Sequence, residues 1–201
     1  MIAWTEAFES RLPTADEQRQ FVDAARSGDR EAWGQLFRDN FQSLYRYAVV
    51  RVGDHHAAEE IAAQVFEEAY RGIGGFRYRG VSVRSWLFAI ARNLTADHLR
   101  RRSRTPTTGI SSEPAAMDQL AEVGVRTDVI RALRQLTEDQ QHVIVLRFMH
   151  DMSLGETGHV LGKSSMAVSA LQARALTQLR RLLADSGHEP SNRNGGSTDG
   201  V

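Results

Sequence analysis

The chain has 201 residues, 41% of them hydrophobic and 25% charged, which is enough apolar material for one medium core or two small ones. That excludes a disordered polymer, and the absence of cysteine excludes a disulfide framework or a thiolate metal site and fits a reducing compartment. Twenty-five basic residues balance 25 acidic ones, which argues against a simple basic coat protein for nucleic acid.

Residues 1–17 read as an N-terminal extension. It carries Trp4, Phe8 and Leu12 at i, i+4 and i+8, but neither the basic head nor the apolar stretch of a signal peptide. A first helical lobe is expected over 18–102. After the turn Ser27-Gly28-Asp29, the residues Ala32, Leu36, Tyr45, Tyr47 and Val49 fall into helical patterns. A second helix, over 56–72, places Ala58, Ile61, Ala62, Val65 and Ala69 on one face and Glu60, Gln64, Glu67 and Arg71 on the other. Gly72 to Gly75 reads as a helix stop and hinge, since no strand precedes it and no Gly-Lys-Ser/Thr follows. A third helix, over 82–102, has Trp86, Leu87, Ile90, Ala91 and Leu94 as its packing stripe, with Arg92, Asn93, Ala96 and Arg100 pointing outward. The longest apolar run, residues 86–91, is far too short to span a bilayer, so no membrane insertion is expected and a cytoplasmic location follows.

Pro, Gly, Ser and Thr crowd 103–114, and 103–125 reads as a linker. A second lobe is expected over 126–184. Val129, Leu133 and Leu136 mark one helix; Val143, Ile144 and Leu146 to Phe148 mark another, with Thr137 as N-cap and Gln140 three residues later. A short helix over 153–161, the turn Gly162-Lys163-Ser164 and a longer helix carrying Val168, Leu171, Ala175, Leu179 and Leu182 have helix-turn-helix spacing. Ser164 is placed to cap the second of these. The tail, 185–201, is polar, Gly-rich and aperiodic, and is expected to be disordered. Strand alternation and Asn-Gly hairpins are missing from both lobes, so the fold class is all-α, two helical domains on a flexible linker.

The charge is segregated. Arg77 to Arg104 holds eight arginines and one acid, Asp97, whereas Asp54 to Glu68 holds five acids and no Lys or Arg, which suggests partners of opposite sign. The basic stretch interleaves Phe76, Tyr78, Trp86 and Phe88 with Arg77, Arg79, Arg84, Arg92 and Arg100 to Arg102. Rings stack on bases and arginines hold the backbone, a combination suited to a separated single strand. Trp86 belongs to the packing stripe and is expected in the core. The acidic face with Glu60, Gln64 and Glu67 is either a solvated surface or a docking face for a basic helix, and periodicity leaves both open. Met166, Ser169, Ala170, Ala173, Arg174 and Thr177 face outward from the last helix, a weak set of base readers beside Lys163. No paired carboxylates, nucleophile–base set or metal-ligand spacing stands out; no catalytic residue and no cofactor are expected, and His55, His56, His150 and His159 are assigned nothing.

AEEIAAQVFEEAYRGI, FRYRG and WLFAIARNLTADHLRRRSR resemble region 2 of bacterial extracytoplasmic-function (ECF) sigma factors. IRALRQLTEDQQHVIVLRFMHDMSLGETGHVLGKSSMAVSALQARALTQLRRLL resembles their region 4. The resemblance implies a non-enzymatic subunit that binds core RNA polymerase, directs it to promoter DNA, assists melting and answers to an anti-sigma factor. It implies polymerase contacts at Glu60, Gln64 and Glu67 and around Leu133 and Leu136. It implies minus-10 contacts at Phe76, Arg77, Tyr78 and Arg79, a loop that captures a flipped base, with Arg92, Asn93 and Arg100 on adjoining DNA. Lys163, Ser164, Ser165, Ser169 and Arg174 would serve the minus-35 element. Two departures stand out: Thr157-Gly158 where members commonly carry Ile-Ala, and Ser169 and Ala173 where basic residues are common. The second implies modest minus-35 affinity. Two other readings of the residues are a self-sufficient helix-turn-helix regulator whose dimer reads a palindrome and a sigma-like interaction protein that engages polymerase or an anti-sigma factor without reading DNA. At about 3.3 Å per residue the expected linker reaches at most about 75 Å, some 20 base-pair steps, enough for two separated promoter contacts.

Overall fold

The computed structural model describes residues 15–78, 81–104 and 127–186. The expected linker beyond Arg104 and the tail beyond Ser186 lie outside the described residues, as do Trp4, Phe8, Leu12 and Arg79. Every regular element among the described residues is helical.

The first lobe comprises α1 (Ala15–Arg26), α2 (Arg30–Val52), α3 (His55–Gly72) and α4 (Val83–Arg104). Helix α1 starts inside the stretch read as an extension, and its buried Gln18 accepts a hydrogen bond from the Val83 N–H at 3.1 Å. The chain punctuates each helix as its residues dictate. Asp29 Oδ1 accepts from the Glu31 and Ala32 amides at 2.8 and 3.2 Å to start α2. Gly53, at φ 69°, ends α2 by donating to the Val49 carbonyl, and Asp54 at once caps α3 through the Ala57 amide. Along α3, Ala57, Ala58, Ile61, Ala62, Val65, Phe66 and Ala69 are buried, so the expected stripe is the observed one.

The second lobe comprises α5 (Thr127–Arg134), α6 (Glu138–Ile144), a π-helical turn Val145–Met149, α7 (Leu154–Leu161) and α8 (Ser165–Ser186). Thr137 and Gln140 form the expected capping box, with amide-to-side-chain distances of 3.4 and 3.0 Å. A second box, Ser153 with Glu156, starts α7. Gly162 turns the chain at φ 64° and Ser164 Oγ caps α8 through the Ala167 amide at 3.2 Å, which completes a helix-turn-helix from α7 and α8.

One apolar cluster runs through both lobes. It joins Tyr47, Leu87, Phe88 and Ala91 to Ile130, Val143, Leu146, Met152, Val160 and Val168, and α4 packs against α7. A smaller cluster, Ala132, Leu133, Leu136, Ile144, Ala175 and Leu179, stays within the second lobe. The second partner explains a shift on α4. Trp86 and Ile90 are only half-buried, whereas Phe88 and Thr95 are buried together with the expected Leu87, Ala91 and Leu94, because α4 is covered from two directions.

Candidate nucleic-acid and partner interfaces

The outer face of α3 carries Glu60, Gln64 and Glu67, all exposed. Among the described residues each acid is paired with a neighbour on its own helix, His56 at 3.7 Å from Glu60 and Arg71 at 3.1 Å from Glu67, and the face stays exposed. Beside it lies an open groove of about 540 Å³ lined by Trp33, Phe37, Phe66 and Tyr70, with Arg30 and Arg71 at its rim. Phe37 is 44% and Tyr70 61% exposed, an unusual amount of aromatic surface for side chains on packed helices. The residue pattern does not announce the groove beyond Trp33 and Phe37 at i and i+4 on α2.

The loop after α3 divides its residues. Phe76 is buried and its ring lies tilted against Trp86 with ring centroids 4.9 Å apart, and its carbonyl accepts from Arg26. Its ring is therefore a core ring in this arrangement, a correction to the expected exposure of Phe76 within the loop Phe76 to Arg79: at a helix–loop junction, the first large apolar residue closes the end of the core. Arg77 is exposed and its Nη1 donates to the Gly74 carbonyl at 2.8 Å, while Tyr78 is half-buried under the Arg19 guanidinium. Along α4, Asn93 and Arg100 are exposed, Arg100 being paired with Asp97. Arg92 is half-buried, and its Nε has no hydrogen-bond partner among the described residues. Arg84 turns toward the second lobe and donates to the His150 carbonyl at 2.7 Å.

In the second lobe Ser164, Ser165, Ser169 and Arg174 are exposed along the start of α8, and Met166 beside them is 83% exposed. Lys163 is held 2.9 Å from Asp139 of α6, which ties down the turn. Leu133 and Leu136 are buried among Ile144, Ala175 and Leu179, so their side chains serve the lobe's own core, a second correction to the expected contacts. Apolar stripes of short helices are consumed by the nearest helix before any partner arrives. Gly158 accounts for one departure from the family pattern. A Cβ there would lie 2.5 Å from the Lys163 carbonyl oxygen, and the Lys163 amide donates to the Gly158 carbonyl at 2.8 Å.

Between the lobes is a polar centre that the sequence did not announce. Tyr47 of α2 bonds through its hydroxyl to His142 Nδ1 of α6 at 2.9 Å, both side chains fully buried. Arg51 bonds to Gln141 and lies 3.4 Å from Glu138. Burial, followed by Arg51 and Arg92, pushes His142 down to about 3; burial, followed by Arg84 and Arg46, does the same to His150. Both rings are neutral at physiological pH. Among the described residues no group of His, Cys, Asp and Glu could hold a metal ion.

The Sigma-70 region 2 family matches residues 36–105 and the Sigma-70, region 4 family matches residues 132–181. The ECF RNA polymerase sigma factor BldN of Streptomyces coelicolor is 36% identical over 186 residues, covering 87% of this chain and 70% of that protein. The ECF RNA polymerase sigma factor SigM of Mycobacterium tuberculosis is 34% identical over 157 residues, 78% of this chain and 80% of that one. Among solved structures, that of CnrH in complex with the cytosolic domain of CnrY superposes with a TM-score of 0.67 at 27% identity, covering 86% of this chain and 99% of CnrH. Both regions in order, on an all-helical frame with a helix-turn-helix in the second lobe, make the chain a member of the ECF group of sigma-70-type RNA polymerase sigma factors.

Proposed function

We propose that this sigma factor acts through three surfaces, each used without covalent chemistry. The acidic face of α3, with Glu60, Gln64 and Glu67, binds a basic face of core polymerase, and the adjoining aromatic groove adds apolar area to that contact. Arg77, Tyr78 and Arg79 with Arg92, Asn93 and Arg100 of α4 hold the unpaired strand of the minus-10 element, with Phe76 and Trp86 as the platform beneath them. Lys163, Ser164, Ser165, Ser169 and Arg174 meet the minus-35 duplex, chiefly through phosphates and the amide end of α8. Leu133 and Leu136 shape the polymerase-facing part of the second lobe by packing. Residues 18–102 and 126–184 are the two working domains, and 103–125 spans the promoter between them.

The observation that carries this reading is that regions 2 and 4 occur in one chain, in that order, with the α3 face and the start of α8 both exposed. Stabilising an unstacked strand offsets the few kcal/mol that flipping a base costs, so binding energy alone accounts for assisted melting. CnrH, similar in fold, was solved with the cytosolic domain of CnrY, which supports a regulatory protein partner for this chain, an anti-sigma factor. No helix among the described residues is long and apolar enough to cross a membrane, in keeping with a cytoplasmic site of action.

Purified chain added to core polymerase should yield transcripts starting at discrete promoters, mapped by primer extension across a genomic template library. A chain that gives no promoter-specific transcript, yet protects a palindromic site unaided, is the self-sufficient regulator instead.

A further inference from the structure

Helix-turn-helix proteins read base edges from the first turns of the second helix, mostly with arginine, lysine, asparagine or glutamine making paired hydrogen bonds. On α8 the side chains of that kind are engaged elsewhere. Lys163 in the turn is held 2.9 Å from Asp139 of α6, and Gln172 accepts from Arg147 Nε at 3.0 Å, which draws its amide back toward the lobe. Arg174 lies along its own helix, its Nε donating to the Ala170 carbonyl at 3.3 Å. What faces outward is apolar instead. At 100° per residue, Ala170, Ala173 and Thr177 point within about 40° of Met166, and the Thr177 hydroxyl donates to the Ala173 carbonyl at 3.0 Å. Met166 is the longest of the four and is 83% exposed, more than Phe37, Tyr70 or Phe148. Its own fold has no use for it there, because Val168, fully buried two positions on, already seats this turn of α8 on the core.

We propose that Met166 is a specificity-determining residue of the minus-35 contact, packing on the 5-methyl group of a thymine in the major groove. The assignment of α8 to the minus-35 duplex underlies this role, which adds the base that α8 prefers. Thymine alone among the four bases presents a methyl group in that groove. A thioether chain with three rotatable bonds adapts to such a group and is polarizable enough to pack well on it. Ala170 and Ala173 have no reach of their own, so the helix axis can approach the groove floor and carry Met166 down with it. Ser165, Ser169 and Arg174, exposed beside that line, are left to hold phosphates, which fix register without reading sequence. Discrimination of this kind is shallow. Burying one methyl is worth about fourfold in affinity, against roughly tenfold or more for a paired hydrogen bond to a base. A cytosine at the same place sets its amino donor against the apolar chain and is disfavoured further.

The test uses core polymerase carrying the full chain, and as probe a promoter fragment whose transcript start has been mapped by primer extension. Each thymine of the minus-35 element is replaced singly by deoxyuridine, which removes the methyl and keeps the pairing edge. Equilibrium binding should weaken about fourfold at one or two adjacent positions and hold at the others. Met166→Ala should bind the thymine duplex about as weakly as the unmodified chain binds the deoxyuridine duplex, with no further loss at that position. Met166→Leu, which keeps an apolar chain of similar length, should retain most of the discrimination. Neither substitution should move the melting temperature, because the side chain stands in water. A minus-35 element without thymine overturns the proposal, as does equal binding of thymine and deoxyuridine duplexes at every position by the unmodified chain. A Met166→Ala chain that keeps the full thymine-to-deoxyuridine ratio also overturns it, since a merely structural role would weaken all duplexes alike. Promoter-specific transcription without methyl dependence refutes only the role of Met166, whereas no promoter-specific transcript at all refutes the function and this role together.

Discussion

Acidification provides a quantitative test of the contact between the lobes. His142 faces Tyr47 and Arg51 of α2, Arg92 of α4 and Glu138 of its own helix; His150 faces Arg84 and Phe88 of α4 and Arg46 and Tyr47 of α2. Each ring has an ordinary value of 6.5 and is held near 3 where the lobes pack together. A base whose buried value is depressed resists the proton that its exposed state accepts. At pH 7.5 both states are neutral and the contact has its full strength. As pH falls through 6.5 the exposed ring gains a proton the buried ring refuses, so the stability of the contact declines steadily until pH approaches 3. At pH 5 the loss is about 2 kcal/mol for each histidine, because there it depends almost wholly on the exposed value. Two rings give about 4 kcal/mol, on the order of a thousandfold in the equilibrium between packed and separated lobes. Small-angle scattering and inter-lobe energy transfer between pH 7.5 and 5 should show expansion before helical circular dichroism is lost. Replacing His150 with Asn should halve the pH slope. A radius of gyration constant to pH 5, with helicity intact, would refute the claim that both rings are buried neutral between the lobes.

Other outcomes follow from single contacts. Gly158→Ala should destabilise the chain by about 1–3 kcal/mol in urea titrations, because its Cβ meets the Lys163 carbonyl, although helix propensity alone favours Ala; a rise in midpoint would show that the turn yields. Ser169→Lys should tighten minus-35 duplex binding and steepen its salt dependence by about one phosphate contact, read from log K against log salt. Phe76→Ala should cost about 3–5 kcal/mol of stability as a buried ring, whereas Arg77→Ala should leave stability within about 0.5 kcal/mol and weaken promoter opening by permanganate footprinting. Charge reversal at Glu60 and Glu67 together should weaken core polymerase binding by an order of magnitude in native gels without moving the melting temperature; unchanged assembly would remove the α3 face from the interface.

Most of the local architecture could be read directly from the residues. Asp29 and Asp54 before helices, Gly53 and Gly162 after them, and the boxes Thr137–Gln140 and Ser153–Glu156 act within four residues of their own backbone, so chain order suffices to find them. The apolar stripe of α3 was legible for the same reason: one helix with one buried side shows one period. On α4 the period blurs, because Phe88 and Thr95 are buried by elements that include one 60 residues away, and the expected face was rotated from the observed one. Candidate surface residues divided along the same line. Glu60, Gln64, Glu67, Asn93, Arg100, Ser165 and Ser169 are exposed as charge and polarity suggested, whereas Phe76, Leu133 and Leu136 are consumed by the core.

Composition, capping and periodicity therefore determined the helices, their ends, the two lobes and the segregation of acid on α3 from arginine on α4. Only the tertiary structure decided that the lobes close on each other, that Tyr47 meets His142 across 95 positions of chain, and that Arg84 and Arg92 turn toward protein. The reason is range. Backbone hydrogen bonds and side-chain periods are set by neighbours a few residues apart and leave a mark in any short window. A buried tyrosine–histidine pair depends on which surfaces meet after the helices exist, and no spacing in the linear chain encodes that meeting.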